Sequence, residues 1–187
     1  MSRIPPAPAA QSAPLVGADA PLRQRVYAQA PAIAGPYLQF MKALRDNSVL
    51  PRRLVELVRL RVSFHNQCRS CMAIRYADGL DDGVTEDLVC SLEKPDEAPD
   101  LSPAEKAALA YADLAATDHL AITDATFARL AEHFTPEEQM DLCFQVATFV
   151  GYGRMGSALA MTDDLPDEYA APDAVLAPWR QTPQSVV

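Results

Sequence analysis

Apolar positions recur at helical spacing along most of this chain. No segment alternates apolar and polar residues at period two, so no sheet is expected. Pro21 to Gln29 and Ile33 to Asp46 read as two helices, interrupted at Pro31 and at Gly35-Pro36. Pro51 suits a first helical position, and the helix it opens runs to about His65. At about 100° per residue, Leu54, Val55, Leu57, Val58, Leu60, Val62 and Phe64 cover more than half of its circumference. Such a helix is covered on several sides, in the centre of a bundle or beneath a partner subunit. The remaining stripe carries Arg52, Glu56, Arg59, Ser63 and Asn66. Arg61 and His65 point into the apolar sector, and a buried arginine needs a partner, which predicts a pair across a subunit interface.

Further helices are expected from Ser70 to Gly79 and from Val84 to Leu92. Ser102-Pro103-Ala104-Glu105 is a capping box with proline at the first helical position, opening a helix through Thr117. Thr123 caps another helix to His133, and Thr135-Pro136-Glu137-Glu138 repeats the box before a long helix reaching Tyr152 or Met161. Eleven of the 16 prolines lie before residue 37 or after residue 165, and no glycine falls between Gly83 and Gly151. The middle is thus free to be helical, while the ends are loop-like. The expectation is an all-α fold of six to eight helices at residues 21–165, with a loose arm at 1–20 and an extended tail at 166–187. Trp179, the single tryptophan, is placed to pin that tail to the body or to a neighbouring subunit.

At 187 residues the chain suits one domain with a sizeable core. No apolar run approaches the roughly 20 residues of a membrane span, and Met1 to Pro21 lacks the basic start and apolar block of a signal peptide. The expected compartment is the cytoplasm. A net charge of −9 argues against a nucleic-acid partner. The charge is uneven, however: between Leu50 and Ala77 six arginines (Arg52, Arg53, Arg59, Arg61, Arg69, Arg75) face Glu56 alone.

That cationic island surrounds Cys68-Arg69-Ser70-Cys71. A C-x-x-C pair can close a redox-active disulfide, supply half of a metal site, or pack as two small apolar side chains. Positive charge nearby favours the thiolate. A helix starting at Ser70 would put Cys71 in its first turn, near unpaired N–H groups, with Arg75 one turn along the same face. A tetrahedral zinc site wants four ligands. Cys90 and Cys143 are solitary within apolar helical patterns, and His119 and His133 have no suitable neighbours, so no metal is expected.

Glu56, twelve residues before Cys68, with Leu60, Ser63 and Asn66 between them, then Cys68-x-x-Cys71, resembles the signature of the carboxymuconolactone decarboxylase and alkylhydroperoxidase D (AhpD)-like family. Gly79-Leu80, the helix after Ser102, Phe134-Thr135-Pro136-Glu137-Glu138 and the long last helix extend the resemblance from Pro31 to Asp164. It implies an all-α bundle assembled as a homo-oligomer, a trimer or hexamer. In the antioxidant branch the second cysteine attacks peroxide, the first resolves it, and a thiol or dithiol protein reduces the disulfide, with no bound cofactor. Carried over, Cys71 is peroxidatic, Cys68 resolving, and Glu56 part of the proton relay; a salt-bridged helix residue is the other reading of Glu56. The family's histidine four residues after the second cysteine is Arg75 here, and Ser70 stands where AhpD proteins carry another. Arginine cannot shuttle protons near neutral pH, which leaves Glu56 alone or His65 as substitutes. A lyase acting on a small anion held by the arginines is the alternative enzyme, and a thiol redox sensor or assembly protein the non-catalytic one.

Overall fold

The computed structural model describes residues 2–170, 175–180 and 185–187. In chain order it comprises α1 (Ala9–Val16), α2 (Leu22–Tyr27), α3 (Pro31–Asp46), α4 (Arg52–His65), α5 (Arg69–Met72), β1 (Ile74–Arg75), α6 (Ala77–Asp81), α7 (Glu86–Cys90), α8 (Pro103–Thr117), α9 (Asp124–Ala131), α10 (Pro136–Leu159), α11 (Asp167–Ala170) and β2 (Ser185–Val186). The all-α expectation holds, with nine α-helices, α2 to α10, at residues 21–165 where six to eight were expected. Both capping boxes form as their sequences require: the Ser102 hydroxyl accepts from Glu105 N at 3.2 Å, and the Glu105 carboxylate accepts from Ser102 N at 2.7 Å. Thr135 and Glu138 do the same at the start of α10.

Helix α4 is the axis of the molecule, packed against α8 and α10 along its length. Leu57, Val58, Leu60 and Val62 are wholly buried in one cluster with Leu109, Ala112, Leu142 and Val146 of the two flanking helices. The cover over the apolar sector is therefore intramolecular. Arg61 also finds its partner within the chain rather than across an interface. Its Nε and Nη2 donate to the Asp113 carboxylate of α8 at 2.7 and 2.9 Å, and His65 Nε2 bonds to the same carboxylate at 2.7 Å.

Three segments differ from the sequence expectation. Helix α3 runs unbroken through Gly35-Pro36; proline there costs one intrahelical bond, and the carbonyl it deprives, on exposed Ala32, is open to water. The N-terminal arm contains α1, which packs on α2 and α3. The Ser70–Gly79 helix is broken in two by β1, whose Ile74 and Arg75 pair in parallel with Ser185 and Val186. A two-residue strand is too short to leave a period-two trace. Trp179 lies on its own body, 4.6 Å from the Phe64 ring.

Candidate functional site

The turn out of α4 sets up the cysteine pair. Gln67 adopts a left-handed conformation (φ 49°) that few non-glycine residues tolerate. Its amide recovers the cost locally, donating to the carbonyls of Phe64 (2.7 Å) and Leu176 (3.0 Å) and accepting from Leu176 N at 3.0 Å. The chain reverses there, and Cys68 N bonds back to Ser63 O at 3.0 Å. Cys68 and Cys71 are joined as a disulfide, their Cα atoms 5.2 Å apart. Cys68 is wholly buried against α10, where a side chain on Gly156 would stand 3.3 Å from its sulfur. Cys71 is half-buried, and Ser70 Oγ lies 3.7 Å from the Cys68 sulfur.

Both cysteines and Ser70 line a cavity of about 480 Å³, whose wall also includes Arg59, Tyr37 and Tyr152. That volume is in the range that holds a small organic ligand. Tyr37 stacks 4.3 Å from Tyr152 and meets Tyr27 edge-on at 5.6 Å. Burial pushes the Tyr27 and Tyr37 phenols above their ordinary range, so both stay protonated donors.

Glu56 does not touch either sulfur. Its carboxylate, almost completely buried, takes both nitrogens of an Arg59 fork at 2.6 and 2.7 Å and a third bond from Tyr76 N at 3.1 Å. Arg59 in turn donates to Cys71 O at 2.6 Å and Ile74 O at 2.9 Å, beneath the Tyr76 ring. The pair thus grips the backbone of the cysteine loop. Gly79 makes room for it: a Cβ there would meet Glu56 Cβ at 2.8 Å.

The remaining sequence candidates lie elsewhere. Arg75 is fully buried in a bidentate pair with Glu86 (2.9 and 3.0 Å), with further bonds to Met72 O, Ile74 O and Pro178 O, so it anchors the tail instead of facing Cys71. His65 faces Asp113 on α8 and is not in the cavity wall. Helix α5 has a single turn starting at Arg69, and Cys71 N is already bonded to Cys68 O. The expected helix-start stabilisation of a Cys71 thiolate therefore has neither the free N–H nor the long dipole it needs. The cationic island is dispersed as well. Arg53 pairs with Glu105, Arg61 with Asp113, Arg75 with Glu86 and Arg59 with Glu56. Cys143 receives the Tyr111 hydroxyl at 3.2 Å, while Cys90, despite its apolar helical pattern, is exposed beside the Trp179 carbonyl. Among the described residues no three His, Cys, Asp or Glu converge as a metal site.

Residues 31–114 match the carboxymuconolactone decarboxylase family. The chain resembles that family over this stretch, a little under half of its length. An uncharacterized protein of Mycobacterium tuberculosis is 34% identical over 109 residues, which are 57% of this chain and 38% of that one. The chain thus spans well under half the length of these mycobacterial relatives. Uncharacterized YdfG of Bacillus subtilis is 28% identical over 120 residues, covering 64% of this chain and 82% of YdfG. Two crystal structures share the fold. One is an Agrobacterium tumefaciens protein of unknown function (TM-score 0.62, 21% identity, 71% of this chain and 92% of that one). The other is an uncharacterized peroxidase-related protein from Ralstonia eutropha JMP134 with an alkylhydroperoxidase AhpD core (TM-score 0.62, 23% identity, 79% and 78%).

Within this AhpD-like fold, sequence reading misses Tyr27, Tyr37, Tyr152 and Arg23, which come to the cavity from three helices and carry no shared motif. Arg59 has a local signal, its i,i+3 spacing from Glu56.

Proposed function

We propose that the protein is a cysteine-pair oxidoreductase that reduces peroxides through Cys68 and Cys71, in the cytoplasm, and is returned to the dithiol by a thiol or dithiol protein. The observation that carries this reading is a disulfide set in the wall of a ligand-sized cavity, with one sulfur wholly buried and the other half-buried. In the reduced protein the Cys71 thiolate attacks a peroxide oxygen. The S–O bond forms as O–O breaks, and the departing alkoxide takes a proton and leaves as alcohol. The Cys68 thiolate then attacks the Cys71 sulfenic sulfur, closing the S–S bond as hydroxide departs and takes a proton from solvent to become water. Two electrons from the reductant reopen it by thiol–disulfide exchange. In this scheme Glu56 is a positioning residue acting through Arg59 on the Cys71 backbone, because a base must reach the proton it removes. Arg75 and His65 hold the scaffold, and Ser70 accompanies the resolving sulfur.

We also propose a homo-oligomer, a trimer or hexamer. Val49, Met140 and Phe144 are exposed together along a groove between α3 and α10, the kind of apolar surface a second copy covers.

Peroxide consumption with dithiothreitol as reductant tests the redox reading. The wild type turns over and Cys71→Ser does not; equal rates in the two would end it. A lyase acting on a small anion is the second reading, favoured by the cations in the cavity wall. Lactone turnover kept by Cys68→Ser/Cys71→Ser would put the lyase ahead.

A further inference from the structure

The wall of the same cavity holds groups that the redox step does not use. Arg23 of α2 lines the cavity, half-buried, with no carboxylate partner and no hydrogen bond among the described residues. Asp164, close by in the fold, accepts from Leu22 N at 2.9 Å rather than from the guanidinium. The phenols of Tyr27, Tyr37 and Tyr152 border the same space, and none has a hydrogen-bond partner among the described residues. Burial raises the Tyr27 and Tyr37 phenols, and the Arg23 charge acts against that rise at both, so the guanidinium lies near both rings. A partly desolvated cation and unpaired O–H donors on an aromatic wall are the features that receive an acceptor-only anion on an apolar body.

We propose that Arg23, Tyr27, Tyr37 and Tyr152 form an anion subsite for a carboxylate on an aromatic or branched-alkyl body, so that the oxidant presented to Cys71 is a carboxylate-bearing organic hydroperoxide. The choice of oxidant rests on the redox reading above; the subsite does not.

Calorimetric titration of the oxidised protein with 4-isopropylbenzoate and with the neutral 4-isopropylbenzamide tests the subsite without any turnover. The benzoate binds about tenfold or more tightly than the amide, the size expected of a charge-assisted contact. Arg23→Gln erases that gap and Arg23→Lys keeps most of it. Because the Arg23 guanidinium makes no hydrogen bond or ion pair among the described residues, neither change removes one, and far-UV circular dichroism checks that the fold is kept. Equal affinity of the two ligands for the wild type overturns the subsite, as does a gap that survives in Arg23→Gln. Loss of turnover with both cumene hydroperoxide and its para-carboxylate, while benzoate still binds selectively, supports the subsite and removes the redox reading. Turnover of both peroxides at the same kcat/KM overturns the oxidant assignment and leaves the redox reading in place.

Discussion

Arg59 shows how one side chain joins stability to chemistry. It neutralises Glu56, carries the Cys71 and Ile74 carbonyls, and presents its edge to the cavity. Removing one member of a pair this deeply buried leaves an uncompensated charge. Arg59→Gln should therefore lower stability by about 3–5 kcal/mol in urea unfolding, whereas an exposed pair such as Lys94–Glu97 should be nearly silent. A loss for Arg59→Gln below 1 kcal/mol would mean that Glu56 finds another partner. Gly153 makes a related demand, since a Cβ there would fall 2.3 Å from the Asn66 amide nitrogen, which donates to Phe149 O. Close approach of α4 and α10 depends on that missing methylene.

Among elements, the tie between α4 and α8 is the one that titrates. Burial raises the Asp113 carboxyl, but hydrogen bonds from His65 and Arg61 outweigh it and hold the group below the usual aspartate range. A depressed carboxyl contributes stability at pH values above its unfolded pKa, and that contribution is lost as pH falls through the native value. The urea midpoint should fall on acidification below about pH 4, and Asp113→Asn should be weaker at neutral pH with a shallower fall. An identical acid slope in both proteins would contradict this. Element starts were legible in sequence because they are local: Ser102 with Glu105, and Thr135 with Glu138, are three residues apart. The break after Cys71 was not, because its cause is a strand partner more than a hundred residues downstream. The same distinction runs through the site. Cys68, Cys71 and the Glu56–Arg59 pair are near neighbours in sequence, whereas the tyrosines and Arg23 meet them only where α2 and α3 come together with α10 around the cavity.

For the molecule as a whole, the acidic balance and the exposed groove act in opposite directions. A net charge of −9 disfavours association, but the groove beside Phe144 carries mostly apolar side chains. Light scattering should give a mass well above 20.3 kDa for the wild type, and Phe144→Glu should reduce it towards the monomer. A wild-type monomer would refute the proposed assembly. No helix among the described residues is long and apolar enough to cross a membrane. The wedging of the Cys68 sulfur against Gly156 also bears on how a redox partner could be caught. On the proposed redox reading, an incoming thiol reaches the half-buried sulfur, so the mixed adduct would be carried by Cys71 and Cys68 would be the group released. A Cys68→Ser protein is thus the bait with which to fish for that partner, and the reciprocal variant should come up empty.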